Sequence, residues 1–195
     1  MKKLAALGAL ILASGCASVE HEADRVVAAQ APAERVAETL VRGHKALASD
    51  GSAQVLADAS TRLQDLGAKP ADDGEADRAQ DWLVEARKRG LETDAVPFRG
   101  RVLGPAYRSG SLAPGEASET SQLFLAGEQA EVVAIPVEST ALQLEIVEDE
   151  GQRNCTPPPT AARSVCRWIP IFTSRYRIRV RNIGERPSAF YLVTN

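Results

Sequence analysis

The sequence predicts an α+β protein in which an N-terminal helical segment is followed by an antiparallel β-sandwich, jelly-roll-like and built of six to seven strands. Over much of 20–90, apolar residues recur three or four positions apart, which is typical of amphipathic helices. Over 106–195 they recur in short runs with period two, separated by turn residues, which is typical of a sandwich. The composition changes near 97–100, so we expect a helical segment over 32–98 and a sandwich over 99–195.

Charge is distributed unevenly between these two parts. Residues 17–98 hold 16 acidic and 10 basic residues, whereas 99–195 hold 10 acidic residues and 11 arginines. The formal net charge of the chain is −3, the opposite sign to the basic footprint of proteins that bind nucleic acid. We therefore expect no nucleic-acid partner.

The chain begins with the pattern of a cleaved export signal. Lys2 and Lys3 precede an apolar run over 4–13, which is ten residues long. A permanent membrane-spanning helix needs roughly 20 apolar residues, so this run is too short to be one. A positive start, a short apolar middle and small residues before a cut predict that residues 1–15 are removed.

The residues at the expected cut are Ala13-Ser14-Gly15-Cys16, preceded by Leu12. They resemble the lipobox of bacterial lipoproteins, in which a cysteine is acylated and becomes the new N-terminus, with Ala13 at the position where that family favours leucine. The resemblance implies lipid on Cys16 and membrane attachment, because two or more acyl chains give stable anchoring. The alternative is an ordinary secretory leader whose Cys16 happens to lie near the cut.

Residues 16–31 lack a strong apolar face, so we expect them to form a lipidated tether. In lipoproteins of this kind an aspartate directly after the cysteine favours retention in the inner membrane. Here Ala17 and Ser18 follow Cys16. The resemblance therefore implies a location at the outer membrane, facing the periplasm.

Two to four helices are expected in the helical segment, and start and stop signals mark their ends. Pro32 suits the first position of a helix because its missing N–H has no partner there in any case. Ser52 is placed as an N-cap for the second helix, and Gly67 as its C-terminal stop. The third helix carries Trp82 and ends at Gly90.

Six runs in the second half are expected to form strands. One of them contains Pro136, which predicts an edge strand or a bulge because proline cannot donate to the ladder. The runs are SQLFLA, AEVVAIPV, LQLEIVE, VCRWIPI, RYRIRVRNI and SAFYLVT.

With Cys16 assigned to lipid, two cysteines remain. Cys155 and Cys166 are separated by the proline-rich run TPPPTAARSV. Exported compartments are oxidising, so the pair predicts a disulfide. A redox CxxC spacing is absent from the sequence, and both histidines lie far upstream, which argues against a local zinc site.

One group of residues near the C-terminus follows a recognisable pattern: Trp168, Pro170, Thr173, Tyr176, Ile178, Val180, Asn182 and Tyr191. This pattern resembles that of bacterial pre-peptidase C-terminal domains, which are exported β-sandwiches. Ser174 stands where that family usually has glycine, Val193 where it usually has leucine, and the cysteine pair is an addition. The resemblance implies a sandwich and a binding or accessory role, and it carries over no catalytic residue.

One pattern is a candidate site. In SRYRIRVRN, arginine occupies every second position, so a strand places four guanidiniums on one face about 6.5–7 Å apart. Guanidiniums bind phosphate and carboxylate in bidentate fashion, which makes an anion-binding strip possible. The alternative is a solvated sheet face paired with Gln143 and Glu145 on a neighbouring strand. The strip consists of Arg175, Arg177, Arg179 and Arg181.

The sequence favours a membrane-anchored envelope lipoprotein without enzymatic activity, whose sandwich binds an envelope protein or an anionic glycan. No cofactor or metal is expected. One alternative is an envelope structural or assembly factor that uses the helical segment as its contact surface. The other is a hydrolase whose catalytic residues are too dispersed to recognise.

Overall fold

The computed structural model describes residues 30–49, 52–92, 104–148 and 153–195. The predicted leader, Cys16 and the boundary at 97–100 lie outside these residues. Within them the chain forms three helices: α1 (Pro32–Ala48), α2 (Ala53–Asp65) and α3 (Arg78–Lys88). None of these helices is long and apolar enough to cross a bilayer.

Nine strands lie in the described part of the chain, and they form two sheets. One sheet has five strands in the order β1-β2-β9-β4-β7, and the other has four in the order β3-β8-β5-β6. The strands are β1 (Lys69–Pro70), β2 (Ala106–Leu112), β3 (Ala117–Phe124), β4 (Ala130–Pro136), β5 (Leu142–Glu148), β6 (Arg153–Cys155), β7 (Ser164–Trp168), β8 (Ser174–Asn182) and β9 (Ser188–Thr194).

The strand order confirms the predicted antiparallel sandwich. Strands β2 to β9 are divided between the sheets in the orders 2-9-4-7 and 3-8-5-6, which is the arrangement of an eight-stranded jelly roll. The pairings among these strands are antiparallel, whereas β1 joins β2 in parallel. The helical segment thus contributes a short ninth strand to the edge of the five-stranded sheet.

The helix ends follow the residues expected to set them. Pro32 lies in the first turn of α1, and the Ser52 side chain accepts a hydrogen bond from the Gln54 backbone N–H at 3.2 Å. Gly67 and Gly90 follow α2 and α3 with φ of 65° and 86°, the left-handed conformation that glycine adopts without strain.

Two apolar clusters hold the described residues together. One lies between the sheets and includes Leu144, Ile178 and Leu192. The other lies between the helices and the outer face of the five-stranded sheet, where Leu40 and Trp82 share a cluster with Tyr191. The helices therefore form a third layer, and the five-stranded sheet is covered on both faces.

The disulfide prediction is confirmed, since Cys155 and Cys166 are bonded with their Cα atoms 6.0 Å apart. Cys155 lies on β6, the edge of the four-stranded sheet, and Cys166 lies on β7, an edge of the five-stranded sheet. The bond therefore joins the two sheets along one side of the sandwich.

The prediction for Pro136 is wrong in one respect, because β4 is an interior strand with β9 on one side and β7 on the other. Pro136 is its last residue, and β7 pairs with β4 only as far as Ala134. Val137 N–H bonds Ala189 O on β9, so the N–H that proline lacks would point to the opposite side, beyond the end of β7. The proline is accommodated where pairing with one neighbour has stopped.

Candidate functional site

The outer face of the four-stranded sheet carries the predicted arginine strip. Along β8, exposed and buried residues alternate, and all four arginines, Arg175, Arg177, Arg179 and Arg181, are exposed. Tyr176, Ile178 and Val180 point the other way and are buried in the apolar cluster between the sheets. The backbone that carries the four arginines is therefore held in place, because the inward-facing side chains of the same strand are packed in the core.

Neighbouring strands place carboxylates beside part of the strip. Glu119 on β3 and Glu145 on β5 lie opposite Arg179, one on each side, and Gln143 lies opposite Arg181. This register confirms the predicted cross-strand neighbours on β5. The outward positions of the three strands hold four arginines and two glutamates, so the face carries a net positive charge.

Arg181 is held at the far end of the strip. Its Nε donates a hydrogen bond to Gly115 O at 3.1 Å, in the turn between β2 and β3. Two of the other members face β3 residues that are uncharged: Arg177 lies opposite Ser121, and Arg175 lies opposite Leu123. Among the described residues of β3 and β5, the outward-facing glutamates thus lie opposite Arg179 and not opposite Arg175 or Arg177.

The side of the sandwich opposite the disulfide opens as a cleft of about 350 Å³ between β2 and β3. Ile178, Val180, Phe190 and Leu192 line its apolar part. The cleft exists because the inward positions of β3 hold small or polar residues, here Ser118 and Thr120, in place of bulky apolar ones.

Polar groups rim this cleft. Arg108 pairs with Asp72, and the Glu75 carboxylate accepts hydrogen bonds from the Ser109 backbone N–H at 2.7 Å and from Ser109 Oγ at 2.6 Å. These contacts fasten the loop after β1 to β2. Three of the rim carboxylate and guanidinium groups are thus engaged in holding the fold.

A partly buried ionic cluster joins α1 to the five-stranded sheet. Glu34 and Glu131 are 5% and 3% exposed, and both contact Arg167, whose Nε lies 2.8 Å from Glu131 Oε1. Arg163 Nε lies 2.7 Å from Glu34 Oε2, and a second nitrogen of Arg163 pairs with Glu38. Burial raises the pKa of Glu131, and a hydrogen bond from the Ala33 backbone N–H opposes that rise.

His44 packs against the five-stranded sheet. Its Nδ1 lies 3.0 Å from Tyr191 Oη, and the two rings meet edge to face. Burial lowers the pKa of His44, Glu138 raises it, and Arg78 lowers it. Burial also raises the pKa of Tyr191 to about 12, so this tyrosine remains a neutral hydrogen-bonding partner. His21 lies outside the described residues.

The residues that carry the family resemblance have structural roles here. Trp168 packs on Phe124 and Tyr176, with ring centroids 4.9 Å and 5.2 Å away. Asn182 is fully buried, and its Nδ2 donates to Leu112 O and Arg186 O at 3.0 and 2.8 Å. They form core and turn contacts, as expected from a motif that describes a fold.

Sequence reasoning found the strip but missed the cleft and the ionic cluster. The strip was visible because four charges alternate with apolar residues along one strand. The cleft residues come from a loop and four different strands, and the β2 run AYRSGSL has no apolar alternation. The one available signal was the polar content of the ASETSQ run that starts β3.

No family model and no curated protein matches this chain. Among solved structures, it is similar to the pre-peptidase C-terminal domain of collagenase from Bacillus anthracis, with 8% identity and a TM-score of 0.39, over 46% of this chain and 88% of that one. It is also similar to PliG from Aeromonas hydrophila, a periplasmic inhibitor of g-type lysozyme, with 12% identity and a TM-score of 0.35, over 47% and 84%. Each likeness involves less than half of this chain, and the jelly-roll assignment stands on the strand order of the structure itself.

Proposed function

We propose that this chain is a lipid-anchored envelope protein whose β-sandwich binds an anionic ligand through the arginine strip on β8. The single observation that carries the binding role is the exposure of four arginines in a row on a sheet face with a net positive charge. The anchoring at Cys16 rests on the lipobox resemblance, and the location at the outer membrane, facing the periplasm, rests on Ala17 and Ser18.

The geometry favours an extended polyanion over a compact one. Four arginines at alternate positions of one strand span about 20 Å, and their guanidiniums form a line. A linear glycan with repeated carboxylate or phosphate groups can contact several of them at once, and each bidentate contact adds to the same complex. This ligand class requires no catalytic group, in line with a non-enzymatic role.

The alternative role, in which the helical segment is the contact surface, has less support. The apolar stripes of α1 and α3 face the five-stranded sheet and each other, and Val36, Leu40 and Trp82 are at most 1% exposed. The exposed large apolar residues on the described helices are Leu47 and Val84, which are 38% and 43% exposed. Such isolated residues are ordinary on a protein surface.

Binding to an immobilised polyanion tests the role of the strip. The full chain is applied to dextran sulfate, with uncharged dextran as the control surface. We expect Arg177→Gln/Arg179→Gln to weaken binding at least tenfold and to reduce its dependence on salt, because two charge-assisted contacts are lost. The matched variant Arg42→Gln/Arg62→Gln removes two exposed arginines from α1 and α2 and should bind like the native chain.

Two results would count against the strip. Equal weakening by both double variants would mean that binding follows total charge, and unchanged binding by the strip variant would place the ligand elsewhere. The anchor is tested separately by the intact mass of the chain from the membrane fraction. We expect loss of residues 1–15 and addition of acyl mass on Cys16, whereas an unmodified 16–195 chain would contradict the anchor.

A further inference from the structure

One end of the sandwich carries a group of exposed apolar side chains that neither cluster absorbs. They come from the β3–β4 turn and the β7–β8 loop, and we refer to them as the apolar tip. Ile171 and Phe172 are 83% and 75% exposed, so they project outward and do not line a depression. The apolar tip consists of Leu125, Ile169, Ile171 and Phe172, of which Leu125 is 49% and Ile169 is 64% exposed.

The apolar tip is held in place by backbone contacts. Gly127 N–H bonds Pro170 O at 2.9 Å, and Ala126 N–H bonds Thr173 Oγ1 at 3.0 Å, so the turn and the loop are fastened together. Directly beneath them lie the packed rings of Phe124 and Trp168. Because both segments are fixed, the folded chain keeps these apolar side chains in water, and the favourable free energy of burying them is gained only where another surface covers them.

The chain enters the described body at this same end. The Ala33 backbone N–H bonds Glu131, and Glu131 pairs with Arg167, which directly precedes Trp168 and Ile169. The start of α1 is therefore beside the root of the apolar tip. Cys16 lies 15 residues before Ala31, so the segment that joins them reaches at most about 50 Å.

We propose that the apolar tip inserts into the surface of a phospholipid bilayer, so that the sandwich is held end-on against the membrane to which Cys16 tethers it. The inference rests on the proposed anchoring at Cys16, which puts a bilayer within reach of the end that bears the apolar tip. Aliphatic and aromatic side chains on projecting loops enter the interfacial region of a bilayer, where burial of their apolar surface drives binding.

A basic residue beside the apolar tip can contact lipid phosphate, and acidic residues also lie at this end, among them Glu148, which is opposite Tyr176 at the start of β8. Arg175 is exposed, three positions after Phe172, and lies opposite Leu123, which is 47% exposed. Glu128 is the exposed acid in the adjoining turn. Since β8 runs away from this end, Arg175 is the strip member nearest to the headgroups, and Arg181 lies about 20 Å further along the strand. Arg177 and Arg179 thus stay available for the proposed polyanion when Arg175 faces the headgroups.

Tryptophan quenching by brominated lipid tests the insertion directly. The full chain is reconstituted in vesicles of phosphatidylethanolamine and phosphatidylglycerol that contain acyl-brominated lipid. Phe172→Trp places a reporter on the apolar tip. Ile183→Trp, the matched control, replaces an apolar residue that is 45% exposed at the opposite end of β8. Emission of the native chain is subtracted, because Trp82 and Trp168 contribute to every sample.

We expect brominated lipid to remove at least half of the added emission from Phe172→Trp and less than a tenth from Ile183→Trp. If quenching is small and equal at both positions in a chain that floats with the vesicles, insertion of the apolar tip is refuted and the anchor at Cys16 is not. Failure to float would overturn the anchor and this inference with it. A photo-cross-linker at position 172 that captures a protein, without lipid quenching there, would overturn the assignment to lipid.

Discussion

The two sheets of this sandwich contrast most clearly in their central long strands. In β8, buried and exposed residues alternate along nine residues, because one face meets the core and the other meets solvent. In β9, six of seven residues are buried, because one face meets the same core and the other is covered by the helices. The five-stranded sheet is therefore covered on both faces, whereas the four-stranded sheet has one face in contact with solvent, where a ligand can bind.

This difference explains where charge can accumulate. Charged side chains on β4 or β9 would point into a cluster of apolar residues, and the one exception, Glu131, is matched by Arg167. On β8 every second side chain points into solvent, so a charged group there is not desolvated, and four arginines occupy those positions. The helical layer thus confines the candidate binding surface to the four-stranded sheet.

The largest expected effect tests whether the helix layer and the sandwich are one cooperative unit. Leu40 in the helix layer and Leu144 between the sheets are both fully buried. Because each substitution leaves a cavity, Leu40→Ala and Leu144→Ala should each lower the free energy of unfolding by about 2–5 kcal/mol. Urea titrations followed by far-UV circular dichroism and by near-UV signals should give coincident transitions for both variants.

Leu47→Ala is the matched control, since Leu47 lies on the same helix and is 38% exposed, and it should change stability little. A Leu40→Ala chain whose helical signal is lost at low urea, while the near-UV signal keeps its native midpoint, would refute a shared cooperative unit.

The next effect concerns the two sides of the sandwich. The Cys155–Cys166 bond joins the sheets on one side, whereas the other side opens as the cleft. Removing the bond with Cys155→Ala/Cys166→Ala should lower the free energy of unfolding by about 3 kcal/mol, because the unfolded chain regains a loop of this size. Denaturation of the native chain with and without reductant should give the same difference, and an unchanged midpoint on reduction would contradict this role.

A smaller effect is expected from His44, at the contact of α1 with β9. Burial lowers its pKa below the ordinary value of 6.5, so the unfolded chain binds a proton more readily than the folded one. The stabilisation is present above about pH 6.5 and is lost as the pH falls through the lowered folded pKa. His44→Gln keeps a partner for Tyr191 and should flatten the change in urea midpoint between pH 8 and 5; an equally steep change would contradict this.

Much of the fold could be predicted from the sequence because local and global signals agree. All six predicted runs form strands, and Ser52 and Gly67 mark helix ends as expected. Three strands were missed for physical reasons. β1 is two residues long, β6 is three, and β2 reads AYRSGSL, where small and polar residues replace the usual apolar alternation. Their pairing is decided by neighbouring strands and not by their own composition.

The arginine strip and the ionic cluster also differ in how far the sequence predicts them. The arginine strip was predictable, because a period of two along one strand fixes which side chains share a face. The ionic cluster was not, because Glu34, Glu131 and Arg167 meet only when α1 packs on the five-stranded sheet. The apolar run around Ile171 was predicted as strand, but β7 ends at Trp168 and the rest forms the exposed loop of the apolar tip.

The most direct test of the account is a titration of the folded chain with dextran sulfate, observed through the arginine Nε–Hε signals in NMR spectra. We predict that the signals of Arg175, Arg177 and Arg179 shift together at low ligand concentration. The signals of Arg163 and Arg167, which are paired in the ionic cluster on the opposite sheet, should not shift. Shifts spread evenly over the arginines of the helices and both sheets, or shifts absent from β8, would contradict a binding face on the four-stranded sheet.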